Sequence, residues 1–112
     1  MAPELVSTFS ERTLEPGPPV SLRCTVSGNP PPRISWLLDG GELRPQGYAL
    51  GSFLDSSGAV VSHLNMTSIR VQHGGVYTCL ARNLLGTAQH SAAVNVYGGF
   101  NEINSLIFFI GC

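Results

Sequence analysis

At 112 residues the chain has room for one hydrophobic core, which excludes a multidomain machine. Its 13 glycines and 8 prolines sit against only six basic and seven acidic residues, too broken and too poor in charge for helical bundles or coiled coils, so an all-β fold is expected. A net charge of −1 without any basic cluster removes the electrostatic footprint of a nucleic-acid binder, and no acidic or basic tail is present.

The opening Met1-Ala2-Pro3-Glu4 lacks a basic start and an apolar stretch, so no signal peptide is expected there. Val20, Leu22, Cys24 and Val26 alternate with Ser21, Arg23 and Thr25, the pattern of a half-buried strand. The run Gly28-Asn29-Pro30-Pro31-Pro32 ends it, because proline offers no amide to a ladder. Ile34 and Trp36 continue the buried parity in the next strand, and Asp39-Gly40-Gly41 reads as a turn. Residues Glu42 to Leu54 are poorly patterned, with a short edge strand expected near Tyr48 to Phe53, and Asp55 to Gly58 turns again. A strand follows from Val60 to Ile69, with Leu64 and Met66 inward and Val61, His63, Asn65 and Thr67 outward. After a corner at Gln72 to Gly75, Tyr77, Cys79 and Ala81 share one face, opposite Val76, Thr78, Leu80 and Arg82. Asn83 to Gly86 reads as a hairpin loop and Thr87 to Tyr97 as the last strand, with Val94 and Val96 inward. About seven short strands at regular spacing indicate a sandwich or a barrel.

Residues from Gly98 to Cys112 differ in texture: two glycines, a polar stretch, then Leu106-Ile107-Phe108-Phe109-Ile110. Five apolar residues cannot cross a bilayer, which takes about 20 in a helix. The expected division is therefore a domain over 1–98 and an extension over 99–112, with an extra edge strand or the start of a membrane anchor as alternatives, and an aggregation hazard in each case.

Cys24 and Cys79 fall on the inward faces of two strands, Trp36 is inward as well, and Tyr77 stands two residues before the second cysteine. In a two-sheet sandwich this predicts an inter-sheet disulfide with the indole packed against it and the Tyr77 hydroxyl bonded back to the corner backbone. Closing so long a loop stabilises a domain by about 4 kcal/mol in the chain-entropy model. The alternative is a pair of reduced, buried thiols in a cytosolic protein. Cys112 has no partner in this scheme.

The runs Gly28-x-Pro30-x-Pro32-x-Ile34-x-Trp36 and His73-x-Gly75-x-Tyr77-x-Cys79 resemble an immunoglobulin domain of the intermediate (I) set, over residues 3 to 97. Ala2-Pro3-Glu4-Leu5, the Leu14 to Pro18 turn, Leu38-Asp39-Gly40, Val61 to Thr67 and Val94 to Gly98 are similar to the Down syndrome cell adhesion molecule (Dscam) family, above all to the alternatively spliced seventh immunoglobulin domain of its arthropod members. The resemblance implies an immunoglobulin-like β-sandwich of two antiparallel sheets in the extracellular part of a cell-surface protein, encoded by an interchangeable exon. One departure stands out: His73 occupies the place where the family's corner carries Asp. The family's carboxylate-to-arginine contact is thereby lost, which predicts lower local stability and, with an imidazole in place, sensitivity to pH.

No catalytic constellation emerges. His63, His73 and His90 stand at no compact ligand spacing, the nucleophile-elbow and phosphate-cradling glycine patterns are missing, and neither a metal nor a cofactor is implied. An enzyme is not expected. Asn65-Met66-Thr67 is an N-glycosylation acceptor, and strand parity turns Asn65 outward.

What remains is binding. The resemblance implies homophilic recognition, in which identical domains pair antiparallel, and Arg23, Thr25, Val61, His63 and Thr67 on one sheet's outer face are the candidate interface. The competing location is the other sheet's outer face, with Leu37, Thr78 and Leu80. Competing functions are heterophilic receptor or pathogen recognition, and a cytosolic structural domain of the sarcomeric type. Any membrane contact would come through the parent protein alone.

Overall fold

The computed structural model describes residues 1–43 and 47–98. Among the described residues nine strands follow one another: β1 (Glu4–Ser7), β2 (Arg12–Leu14), β3 (Val20–Ser27), β4 (Arg33–Leu38), β5 (Gly41–Glu42), β6 (Tyr48–Leu54), β7 (Val60–Met66), β8 (Gly75–Asn83) and β9 (Gly86–Val96). They form a four-stranded sheet in the order β1-β3-β7-β6 and a five-stranded sheet in the order β2-β9-β8-β4-β5. All pairs are antiparallel except β2 with β9, which runs parallel. The expected extension over 99–112, Cys112 included, lies outside the described residues.

The alternating strands behave as their patterns dictate. Leu22, Cys24 and Val26 on β3, Leu64 and Met66 on β7, and Tyr77, Cys79 and Ala81 on β8 are fully buried between the sheets. Asp39 and Gly40 both take positive φ, 51° and 82°, the left-handed pair that a tight β4–β5 hairpin needs. The N-terminal strand is less regular than its sequence: β1 pairs with β3 in one sheet, and after Ser7 the chain crosses so that β2 pairs with β9 in the other. Phe9 sits at this crossing, buried, with its ring 5.5 Å from Trp36 and 5.0 Å from His90, whose Nε2 lies 2.7 Å from the Phe9 carbonyl oxygen.

Cys24 on β3 and Cys79 on β8 are joined by a disulfide across the two sheets, their Cα atoms 6.5 Å apart. Trp36 lies directly beside Cys79 in the β4–β8 register and donates its indole N–H to Ser62 Oγ on the opposite sheet, at 2.9 Å. The Tyr77 hydroxyl donates to the carbonyl of His73 and lies 3.0 Å from the Tyr48 hydroxyl. Burial first, and the Tyr48 hydrogen bond second, push the Tyr77 phenol far above its ordinary range, so it stays a neutral donor at every physiological pH.

The corner before Tyr77 is a short 3-10 turn, Val71–His73. Here the structure qualifies the expectation drawn from the missing Asp: His73 Nδ1 accepts the backbone N–H of Arg70 at 2.7 Å, and the ring meets Tyr48 edge-on at 5.5 Å. The imidazole supplies an acceptor and packing of its own at this corner.

Two predictions follow from these contacts. Replacing both Cys24 and Cys79 by Ala will lower unfolding stability by about 4 kcal/mol, read from the urea midpoint; a loss under about 1 kcal/mol would show that the bridge constrains little. In the β6–β7 turn, Asp55 Oδ1 accepts from Ser57 Oγ at 2.6 Å, Ser57 N–H at 2.9 Å and Ala59 N–H at 3.0 Å. These bonds, Ser57 Oγ foremost, hold the carboxyl below its ordinary 3.8. A depressed folded pKa stabilises above the ordinary value and ceases to do so as pH falls through the folded one. The Ala59 amide will therefore lose hydrogen-exchange protection in acid below about pH 4, and Asp55→Asn will remove that acid dependence.

Candidate recognition face

The outer face of the β1-β3-β7-β6 sheet is built from cross-strand rows. One row runs Arg23, His63, Gly51; the next runs Ser7, Thr25, Val61, Phe53; on the other side lies Ser21, Asn65, Ala49. Neighbouring rows alternate with buried ones, so these side chains point away from the disulfide.

His63 lies at the centre. Its Nδ1 is 3.2 Å from Asn65 Nδ2, and Asn65 Oδ1 in turn accepts the Ser21 hydroxyl at 2.6 Å. The imidazole then lies across β6 at Gly51: a Cβ built on Gly51 would come within 2.7 Å of His63 Cε1 and 2.8 Å of Nε2. Glycine at this strand position leaves the space that the ring fills. Phe53, half exposed at the sheet edge, stands with its ring 6.5 Å from His63. The face therefore carries an aromatic, an imidazole and the exposed Arg23 guanidinium side by side.

The five residues expected to form the interface separate here. Arg23 and Thr67 are exposed and His63 is half-buried, but Thr25 and Val61 are buried, at 8% and 5% exposure. Parity turns both outward, as expected. However, β3 and β7 are the inner strands of the sheet, and in this row Val61 is walled by Thr25 and Phe53, and Thr25 by Ser7 and Val61. They form the floor of the face and not its contact surface. Phe53, Gly51 and Ser21 belong to the same outer face. Sequence reading, which turned Ser21 outward, missed Phe53 and Gly51 because β6 is an edge strand whose inward-parity Leu50 and Leu54 are 57% and 59% exposed, which erases the alternation.

The other histidines are elsewhere: His73 at the Arg70 corner and His90 against Phe9. No group of three or more His, Cys, Asp or Glu able to hold a metal occurs among the described residues. On the opposite sheet, Leu37 and Leu80 are half-buried while Thr78 is buried and hydrogen-bonded to Ser91 Oγ at 2.7 Å.

A family model described as "Immunoglobulin domain" matches residues 2–83. The chain is 46% identical over 97 residues to the cell adhesion molecule Dscam2 of Drosophila melanogaster and 41% identical over 97 residues to human DSCAML1. Each alignment covers 86% of this chain and 5% of the relative, so the chain spans about one-twentieth of the length of these curated relatives. Among solved structures, the N-terminal eight immunoglobulin domains of DSCAM isoform 1.30.30 superpose with a TM-score of 0.82 at 46% identity, over 86% of this chain and 12% of that one. A complex of titin M10 with obscurin-like 1 gives 0.75 at 30% identity, over 87% and 95% of the two chains.

The Gly51 cradle is testable. Gly51→Ala will leave unfolding stability within about 1 kcal/mol, because the clash meets a side chain free to rotate and not backbone. It will nevertheless shift the His63 ring resonances in a carbon–proton NMR spectrum. Unmoved His63 signals would show that the ring does not rest on Gly51.

Proposed function

The chain belongs to the immunoglobulin-domain family, whose matched members here are cell adhesion molecules and not enzymes, and we propose that it acts as an extracellular recognition module giving isoform-specific homophilic binding in neuronal wiring or immune recognition. The pairing surface is the outer face of the β1-β3-β7-β6 sheet, and the partner is an identical domain set antiparallel. The observation that supports this reading most is the grouping of Arg23 opposite His63, with the His63 ring laid against Gly51 and Phe53 6.5 Å from it. An arginine, an imidazole and a half-exposed ring offer directional and apolar contact on one rigid sheet. The buried floor of Thr25 and Val61 fixes their spacing. In a two-fold pairing each contact occurs twice, so one mismatched side chain is felt twice, and small changes on this face separate isoforms.

The inter-sheet disulfide and the Asn65-Met66-Thr67 acceptor support secretion into an oxidising compartment. Asn65 Nδ2, the atom a glycan would occupy, lies 3.2 Å from His63 Nδ1, so in this reading the glycan takes the Ser21 row and borders the His63 row, and the Phe53 row is the one farther from it. Residues 1–98 constitute the recognition domain in this reading, and 99–112 an extension.

Sedimentation of the full chain carrying Cys112→Ser, from micromolar to near-millimolar concentration, tests the proposal. A saturable self-association that weakens about tenfold or more on Arg23→Glu with His63→Glu supports it. Self-association indifferent to both substitutions would place the pairing elsewhere. Secreted from eukaryotic cells, the chain will carry a glycan at Asn65 that Thr67→Ala removes, seen by mass spectrometry.

A further inference from the structure

The outer face of the five-stranded sheet has a charge order that the reading above does not use. Its rows, from one end, are Arg33 opposite Arg82, then Ser35 opposite Leu80, then Leu37 opposite Thr78, with Glu42 beside Leu37. Arg33 and Arg82 are both exposed, and like charges directly opposite one another on a sheet disfavour the fold. The outward neighbours of the pair are Ser35, Leu80 and Thr87, none of which can neutralise it. The nearest carboxylate along this face, Glu42, stands about 13 Å away at roughly 3.3 Å per residue. Between the two ends stand Leu37 and Leu80, and from them a groove of about 460 Å³ runs round the open β4 edge to Ile34, Trp36 and Leu43 and to Leu50 of the other sheet. Among the described residues, β5 covers β4 only at Leu37 and Leu38, so the groove is open along the rest of that edge.

The face thus reads basic, apolar, acidic from end to end, and that order is self-complementary. A two-fold axis lying in the interface across the strands, through the Ser35–Leu80 row, exchanges the Arg33 row with the Leu37 row. Arg33 of one copy then stands over Leu37 and Glu42 of the other, the reverse holds simultaneously, and Leu80 meets Leu80 near the axis. We propose that this face binds a second copy of the chain, antiparallel and face to face, with Arg33 paired to the other copy's Glu42. Arg33 finds its counter-charge there, Arg82 comes over Thr78, and Leu37 and Leu80 are covered. This contact lies on the opposite side of the sandwich from the recognition face and is independent of it, so a domain using both carries two separate self-contacts.

The experiment is run by sedimentation on the full chain carrying Cys112→Ser, in the Arg23→Glu and His63→Glu background, so that pairing through the other sheet is suppressed. The expected result is a residual monomer–dimer equilibrium at near-millimolar concentration. Arg33→Glu or Glu42→Arg alone will weaken it about tenfold or more, and Arg33→Glu combined with Glu42→Arg will restore it. Arg33→Glu places a carboxylate opposite Arg82, so its melting temperature will hold or rise while association falls, which separates a lost contact from a damaged fold. A background chain that stays monomeric throughout, or a dimer unchanged by either single substitution, or one that the double exchange does not restore, overturns the proposal. If the background substitutions abolish all association, the recognition face stands and this one fails. If they change nothing while Arg33→Glu does, the outcome is reversed.

Discussion

The bridge between Cys24 and Cys79 determines more than stability, because both cysteines must point between the sheets and every neighbouring side chain takes its direction from them. With Cys24 inward, Arg23 and Thr25 face out; the β3–β7 register sets Cys24 beside Ser62, so His63 faces out as well, and the β6–β7 register carries the same parity to Gly51 and Phe53. On the other sheet Cys79 lies beside Trp36, which turns Thr78, Leu80, Leu37 and Ser35 outward. A slip of one residue in any of these pairings would send the recognition side chains into the core. The indole N–H of Trp36 bound to Ser62 adds a second tie between the same pairs of strands, next to the first. Two adjacent cross-links of different chemistry make slippage costly, since breaking register would strand a buried donor as well as strain the disulfide.

Legibility of the fold follows the same logic. Strands β3, β7 and β8 are central, with one face dry and the other wet, and their alternation is plain from Val20, Leu22, Cys24 and Val26 or from Tyr77, Cys79 and Ala81. Edge strands lose that contrast. In β6 the inward-parity Leu50 and Leu54 remain exposed, and in the first 14 residues two strands of four and three residues belong to different sheets. No periodic signal survives so short a run, and Phe9, buried at the crossing, has no alternating neighbours to announce it. The candidate face was half legible for a related reason. Parity gives the direction of Thr25 and Val61 correctly, but direction is not exposure: whether an outward side chain is covered depends on what stands in the same row on the neighbouring strands, which is register information.

The corner at His73 shows how a substitution that reads as a loss can be met by local geometry. The position needs a lone pair aimed at the Arg70 N–H, and a neutral imidazole Nδ1 offers one as well as a carboxylate oxygen does. The ring also brings an aromatic edge against Tyr48, which in turn approaches the hydroxyl of Tyr77. Tyr77 then ties the corner by donating to the His73 carbonyl. In this chain the corner is held by a small aromatic cluster around the hydrogen bonds of His73 Nδ1 and the Tyr77 hydroxyl.

The size of the recognition face limits what it can do alone. Four strands at about 4.8 Å and seven residues at about 3.3 Å give roughly 450 Å² of projected sheet, whereas stable specific interfaces bury about 800 Å² on each partner. Its floor of Thr25 and Val61 is closed. One such contact is therefore weak. Weakness fits the proposed role as a discriminating module: when a single face contributes little, the loss of one doubled contact takes away a large fraction of its binding, and the total becomes appreciable only where several matched contacts act together. In that proposal specificity resides in the few exposed side chains that sit over the buried floor, and affinity in the number of such faces engaged at once.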